Sequence, residues 1–169
     1  MTTPIPLIRE ASPVDADAIW DIIHEVITAG DMYAFAPDTP KSEMLGYWFA
    51  KGALPFVAVV DNQIAGTYVI RNNQPGLGSH VANGAYMTSP RFRNRGIGRS
   101  MGVHSLIKAK QLGFLAMQFN FVVKSNTQAV ALWLSLGFRI MAEMPGTFRH
   151  ATNGFTNTLI MYRSLDELP

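Results

Sequence analysis

The stretch RFRNRGIGRSMG, Arg91–Gly102, lies just past the middle of the chain and gathers Arg91, Arg93, Arg95 and Arg99 around Gly96 and Gly98. Glycines let backbone amides turn inward around an anion, and arginines add charge-assisted hydrogen bonds. The stretch therefore reads either as a phosphate cradle or as a plain glycine-rich turn with solvated arginines. Two familiar phosphate motifs fail on residue identity. A P-loop needs a lysine after its second glycine, and no lysine lies between Lys51 and Lys108. A dinucleotide fingerprint needs a third glycine where Met101 stands and an acidic residue about 20 positions on, near Asn120. What remains is R-x-x-G-x-G, Arg93 to Gly98, opening a helix whose N-terminal dipole favours negative charge.

Working outward, the elements around this loop set the fold class. Val81 to Thr88 predicts a strand before it, and Ile97 to about Gln111 a helix after it, with Ile97, Met101, His104, Ile107 and Leu112 roughly on one side. Gly113 caps that helix. Phe114 to Val123 predicts a strand buried on both faces, and Asn126 caps a further helix through Leu136, ended by Gly137. Upstream, IPLIRE is a short strand, and Ser12-Pro13 starts an amphipathic helix carrying Ala18, Ile19, Ile22, Ile23 and Val26, stopped by Gly30. A long aromatic loop, Asp31 to Asp38, leads to a short helix at about Pro40 to Ala50. Phe56 to Val60 and Ile64 to Arg71 form a hairpin across Asp61-Asn62-Gln63. Phe138 to Glu143 and Phe155 to Tyr162 close as an antiparallel pair across an irregular loop, Met144 to Gly154. The class is α/β in the mixed α+β sense, a mixed sheet with helices on both faces.

Composition narrows the functional classes. The 169 residues are 48% hydrophobic and 15% charged, enough for a single domain spanning 1–169. A net charge of +2 supplies no basic stripe, so neither nucleic acid nor membrane is the expected partner. Without cysteine there is no disulfide, thiolate metal site or cysteine nucleophile. The N-terminal MTTPIPLIRE has no basic-then-apolar signal pattern, and no apolar run approaches the ~18 residues of a membrane span. A cytoplasmic, soluble protein with no metal is the expectation.

The loop Arg93 to Gly98, with Ser89-Pro90 before it, and the segment Asn126-Thr127-Gln128-Ala129 through Trp133 to Gly137-Phe138 together resemble the GNAT superfamily of acetyl-CoA-dependent N-acetyltransferases. The second segment is similar to that family's N-x-x-A-x-x-x-Y-x-x-x-G-F signature. The resemblance implies a mostly antiparallel sheet whose fourth and fifth strands, ending at Thr88 and starting at Phe114, splay apart to admit the pantetheine arm like an extra strand. It also implies acetyl-CoA as co-substrate, held at its pyrophosphate by Arg93, Arg95, Gly96, Ile97, Gly98 and Arg99. Met87 and Thr88 would pair with the pantetheine amides, and Asn126 and Trp133 would line the same arm. A homodimer is frequent in such a family.

The sequence departs from the family's proton inventory in two places. Trp133 stands where a tyrosine acid is usual, and an indole N–H is far too weak an acid to replace a phenol. Val81 to Tyr86 contains no carboxylate where a glutamate base is often found. The polar groups remaining on the two splayed strands are Asn83 and Asn120, which orient a substrate or an oxyanion without titrating, or are satisfied by backbone. HVANGAYMTSPRFRNRGIG, MQFNFVVKSN and PGTFRH also resemble a narrower branch containing fungal acetyltransferases that act on proline analogues such as azetidine-2-carboxylate.

Other residues complete the expected site. Tyr86 is an alternative acid unless strand alternation turns it into the core. Asp31, Tyr33 and Phe35 in the long loop are substrate-lid candidates, and Phe148, with Arg149 and His150, completes the acceptor pocket or a dimer contact. His80 reads as a loop histidine or a base acting through water, and His104 and the methionines as core. The expected activity is acetyl transfer to the amine of a small molecule, such as an amino acid or a toxic analogue of one, in a ternary complex. Acetylation of a protein N-terminus or lysine, and a non-catalytic acyl-CoA sensor, are the alternatives.

Overall fold

A computed structural model describes residues 5–168. Seven strands form one sheet: β1 (Leu7–Glu10), β2 (Leu54–Val60), β3 (Gln63–Asn72), β4 (Val81–Thr88), β5 (Ala116–Val123), β6 (Arg139–His150) and β7 (Gly154–Ser164). Their order is β1-β2-β3-β4-β5-β7-β6, antiparallel throughout except where β4 meets β5. Four helices cover it: α1 (Ala16–Ala29), α2 (Lys41–Trp48), α3 (Ile97–Gln111) and α4 (Thr127–Ser135). The mixed α/β class expected from the order of elements is the fold observed. Among the described residues no helix is long and apolar enough to cross a membrane.

Strand alternation divides the apolar side chains between two cores. On one face Tyr68, Met101, Met117, Phe119 and Trp133 pack beneath α3 and α4. On the other, Ile19, Ile23, Trp48, Val69 and Met87 pack beneath α1 and α2. Ile19, Ile22, Ile23 and Val26 of the α1 stripe are buried, Ala18 is half-buried, and Gly30 ends the helix in a left-handed conformation at φ 63°, its N–H returning to Ile27 O. The entry to α1 is fixed by Arg9, whose guanidinium donates two 2.8 Å bonds to Asp15, while Ser12 N–H donates to the same carboxylate at 2.8 Å. These partners hold the Asp15 carboxyl down to about 2, its hydrogen bond to Arg9 being the largest cause. The β2–β3 turn is tighter than expected: Asp61 and Asn62 alone occupy the left-handed region, and Gln63 already belongs to β3.

The segment Met144 to Gly154, expected as an irregular loop, is instead mostly strand: β6 runs unbroken in chain to His150. The Pro145-Gly146 pair reads as a breaker, yet it produces a wide irregularity between the Met144–Thr158 and Phe148–Thr156 pairs rather than a stop. An edge strand tolerates proline because its outer side needs no ladder donor. Gly146, at φ 63°, donates to Asn157 Oδ1 at 2.9 Å, and the Thr147 and Thr158 hydroxyls lie 2.6 Å apart, so side chains replace the missing ladder bonds. Phe148, Arg149 and His150 therefore sit on a strand, and the turn beyond them reaches α1, where Ala151 N–H donates to Gly30 O at 2.9 Å.

Candidate active site

The site begins where the sheet opens. β4 and β5 pair only at Val81–Ala116 and Ala82–Met117, and beyond those residues they part. A bulge in β5 between Phe119 and Val122 follows within a few residues, bending that strand against its other neighbour, β7. Past Ala82, the edge of β4 facing β5 carries backbone groups with no strand partner. One residue's pair is claimed by a side chain: the Tyr33 hydroxyl donates to Tyr86 O at 2.5 Å and accepts from Tyr86 N–H at 2.8 Å. A phenol from the loop after α1 thus stands in for one rung of a ladder. Burial, with a smaller push from the neighbouring Tyr47, raises the Tyr33 pKa above its ordinary value against the lowering effect of its hydrogen bond to Tyr86.

At the mouth of this opening lies a cavity of about 520 Å³. Its floor on one side is the loop between β4 and α3, where Asn94 and Gly96 both adopt left-handed backbone at φ 60° and 73°. A Cβ at Gly96 would meet no atom, but that backbone strains any L side chain. At Gly98 a Cβ would make only an ordinary contact with Leu132, so the glycine keeps the α3 N-terminus open rather than relieving a clash. The amides of the first turn of α3 have no intrahelical partners and face this end of the cavity with the positive end of the helix dipole. Arg93, Ile97, Met87 and Thr88 line it as expected. Arg95 and Arg99 do not: Arg95 lies over the Phe92 ring at 5.3 Å, and Arg99 donates to Ser135 Oγ on α4 at 2.9 Å. Alternate spacing in a loop that reverses its φ does not keep successive arginines on one side. Across the cavity Asn126 caps α4 by accepting from Ala129 N–H at 3.3 Å, with Ser125 and Gln128 beside it.

The opposite end of the cavity is formed by Asp31, Met32 and Tyr33 from the loop after α1 and by His150 at the end of β6. The Ala151–Gly30 hydrogen bond joins those two segments. His150 Nδ1 accepts from the N–H groups of Thr152 and Asn153 at 3.1 and 3.3 Å, so in the neutral ring the proton is on Nε2. Asp31 Oδ1 is buried and has no hydrogen-bond partner. Phe35 and Phe148 do not line the cavity. Phe35 packs on Tyr33 and Tyr47 at 6.4 and 5.2 Å, and Phe148 is buried against Phe121 and His150. Each supports a lining residue from behind.

Trp133 forms the inner wall, 7% exposed, with ring centroids 4.7 Å from both Tyr86 and Phe119. A second cavity of about 100 Å³ continues from here into the gap between the parted strands, bounded by Gly84, Phe119 and Val122. The Tyr86 ring borders both spaces, but its hydroxyl lies in the core, 2.7 Å from Ser105 Oγ, which itself donates to Gly102 O, and 3.3 Å from Met117 Sδ. Burial raises its pKa above the ordinary phenol value. This is the core-facing alternative that strand alternation offered, and it leaves the phenol proton committed to Ser105.

Asn83 and Asn120 are brought together, although by a third amide that sequence reasoning missed. Asn73 Oδ1 accepts from Asn83 Nδ2 at 3.1 Å and from Asn120 Nδ2 at 2.7 Å, and Gln118 Nε2 donates to Asn120 Oδ1 at 2.9 Å. The amides satisfy one another, and neither Asn83 nor Asn120 lines the cavity. The only signal for Asn73 was a pair of asparagines, Asn72-Asn73, at the end of a strand. Asn94, Gln128 and Ser125 were likewise not singled out as cavity walls, whereas His150, expected beside Phe148 at an acceptor pocket or a dimer contact, does line the cavity. A non-glycine residue in left-handed backbone carries no sequence mark stronger than its being asparagine. Among the described residues no group of three or more histidine, aspartate or glutamate side chains is placed to hold a metal.

A sheet that opens between two parallel strands, with a glycine-rich loop and the N-terminus of α3 at the mouth of the opening, is the architecture of an N-acetyltransferase. The model of the acetyltransferase (GNAT) family matches residues 20–138, and the chain belongs to that family. The structure of a GCN5-related N-acetyltransferase from Kribbella flavida is 35% identical, with a TM-score of 0.91 over 95% of this chain and 98% of that one. A phosphinothricin acetyltransferase from Sinorhizobium meliloti, solved in complex with acetyl-CoA, shares the fold at 21% identity and a TM-score of 0.85, covering 97% of this chain and 89% of that one. N-acetyltransferase aca1 of Schizosaccharomyces pombe is 37% identical over 75 residues, 44% of this chain and 36% of that relative's length.

Proposed function

We propose that the chain transfers the acetyl group of acetyl-CoA to the amine of a small molecule within a ternary complex. The observation that carries this reading is the continuity of the larger cavity. It runs from the Arg93–Gly98 cradle, past the unpaired edge of β4, to a pocket closed by Tyr33 on one side and His150 on the other. The residues present fit the co-substrate. Amides at the α3 N-terminus and Arg93 suit a diphosphate, and the free groups of β4 beyond Ala82 suit the amides of the pantetheine arm. The thioester would then enter the gap beside Trp133. Attack of an uncharged amine on the thioester carbon breaks the C–S bond, and the sulfur leaves with the electron pair and takes a proton from the attacking nitrogen.

Enclosure by the loop after α1 favours an acceptor of amino-acid or small-amine size. A protein terminus or lysine would need an open groove at the position Tyr33 closes. The test is thiol release from acetyl-CoA with the proteinogenic amino acids, azetidine-2-carboxylate, putrescine, spermidine and short peptides. Turnover with a small amine and none with peptides is the expected result. Turnover with peptides alone would shift the acceptor class to proteins. Heat protection by acetyl-CoA without any thiol release would make the chain a sensor.

A further inference from the structure

The two cavities differ in chemistry. Asp31, Arg93 and His150 line the larger one, whereas among the described residues lining the smaller one none carries a charge. The polar atoms of its walls are already committed. The Tyr33 hydroxyl bonds both backbone groups of Tyr86, the Tyr86 hydroxyl bonds Ser105 Oγ, and Asn126 Oδ1 accepts from Ala129 N–H. Space walled in this way favours an apolar group over an amine or an alcohol. The cavities share Tyr33, Tyr86 and Trp133, so a group passing Trp133 leaves one for the other. A Cβ at Gly84 would meet the Tyr86 side chain at 2.7 Å, so the glycine lets that ring lie back toward Ser105 and out of the gap. Phe119 and Val122 are buried, and Phe119 is held between Phe138 and Trp133 at centroid distances of 4.5 and 4.7 Å, which leaves that wall no room to retreat. Phe121 is exposed, its ring 6.0 Å from Phe148, and is the wall that can change without disturbing the core.

Size then selects the ligand. An apolar protein cavity of about 150 Å³ takes benzene, with six heavy atoms. At the same filling, the about 100 Å³ of this cavity holds roughly four. An acetyl group has three, a propionyl group four and a butyryl group five. Resting on the acetyltransferase reading above, we propose that the smaller cavity is an acyl pocket one methylene larger than acetyl requires, so that the chain also transfers propionyl from propionyl-CoA. The step balances as for acetyl. The uncharged amine nitrogen bonds to the propionyl carbon, and the C–S bond breaks. The sulfur leaves with the electron pair and takes a proton from the nitrogen, giving propionamide and free thiol. Phe119 and Val122 set the upper limit, because a longer chain would have to displace side chains already packed in the core.

The experiment uses the full chain, the best acceptor found among the amines named above, and acetyl-, propionyl- and butyryl-CoA as donors. A pocket already full rejects one further methylene by about 10–200-fold. The expected kcat/KM for propionyl-CoA is therefore within about tenfold of that for acetyl-CoA, and that for butyryl-CoA more than about tenfold below propionyl-CoA. Propionyl transfer more than about tenfold below acetyl transfer overturns the proposal, and so does butyryl transfer within about tenfold of propionyl. Two variants locate the pocket through ratios that a general loss of activity does not move. Val122→Leu adds a methylene to the buried wall and is expected to lower the propionyl-to-acetyl ratio by about tenfold. Phe121→Leu shortens the exposed wall and is expected to raise the butyryl-to-acetyl ratio by about as much. Ratios that stay at the parent values overturn the placement of the acyl group; where Val122→Leu does not fold, the ratio in Phe121→Leu decides. Failure of every donor with every amine would remove the acetyltransferase reading, and this proposal with it. Acetyl transfer without propionyl transfer removes this proposal alone.

Discussion

At one end of the cavity Arg93, Gly96, Ile97 and Gly98 come from one short loop and the first turn of the helix it opens. At the other end Asp31, Tyr33 and His150 come from opposite ends of the chain and meet because Ala151 N–H bonds Gly30 O and the Tyr33 hydroxyl bonds the edge of β4. The difference lies in how each end gets its shape. Backbone geometry dictated by adjacent glycines and a helix terminus makes the cradle, and any sequence that folds locally in that way will present the same amides. Long-range hydrogen bonds make the end proposed for the acceptor, and its chemistry is set by whichever side chains those bonds bring in. The first end is suited to a co-substrate common to a family, the second to an acceptor that differs between members.

The largest effect is expected where the comparison is sharpest. Gly98→Trp places a large ring at the α3 N-terminus, where the backbone itself accepts a Cβ at 3.5 Å from Leu132. Filling the phosphate position is expected to weaken acetyl-CoA by about 100-fold, equal to losing charge-assisted bonds worth roughly 3 kcal/mol, while the melting temperature stays within a few degrees. Calorimetric titration and a thermal melt on the same sample check both halves. Retained affinity would show that the loop is only a turn.

Tyr33→Phe attacks the other end. It strands the N–H and C=O of Tyr86 without the phenol that now pairs both, at an expected cost of about 2 kcal/mol, or roughly 4–8 °C in melting temperature for a chain of this size. Acetyl-CoA affinity should hold while KM for the amine rises. Equal losses in both would mean that the two ends are not separable. A smaller effect, remote from both ends, is expected at the α1 entry. Because Arg9 and Ser12 depress the Asp15 carboxyl to about 2, its contribution is complete above the ordinary aspartate range and is lost as pH falls through that range toward 2. Arg9 is 44% exposed, so screening limits the gain to about 1 kcal/mol, roughly 2–4 °C. Asp15→Asn should melt below the parent at neutral pH and match it near the depressed value, with turnover unchanged. The smallest effect is expected at Asn120→Ala, which breaks an amide cluster outside the cavity and should leave kcat/KM within about threefold. A large loss there would bring the Asn73–Asn83–Asn120 cluster into the chemistry.

These two ends also mark how far the sequence could be read. Most helices and strands lie near the positions read from the sequence, and α1 buries the stripe read on it, whereas Ile107 and Leu112 of the stripe read on α3 are exposed and its buried face runs through Ile97, Met101, Leu106 and Ala109. The cradle was legible through Gly96 and Gly98, whose spacing is itself the mechanism. Arg95 and Arg99 fall outside the cavity lining because the reversal at Asn94 and Gly96 turns neighbouring arginines to Phe92 and Ser135, and spacing alone does not record such a reversal. The strand character of Met144 to His150 was hidden by Pro145 and Gly146, which signal a break, whereas Asn157 and Thr158 on the facing strand repair it. Asn83 and Asn120 were read as amides that backbone or a ligand must satisfy; Asn120 is exposed, and side-chain amides satisfy both. The partner, Asn73, was invisible without the sheet register. His150 was named beside Phe148, but as a loop residue, and only the contact between residues 30 and 151 shows that of the two it is His150 that reaches the cavity wall.

The most direct test of the account follows an isotopically labelled acetyl group by mass spectrometry after acetyl-CoA is mixed with the protein and the panel of small amines and peptides. The account predicts that the label moves to the nitrogen of a small amine, with one free thiol for each amide formed. Label that stays on the sulfur of bound acetyl-CoA, or that appears only on a peptide terminus or side chain, would contradict it.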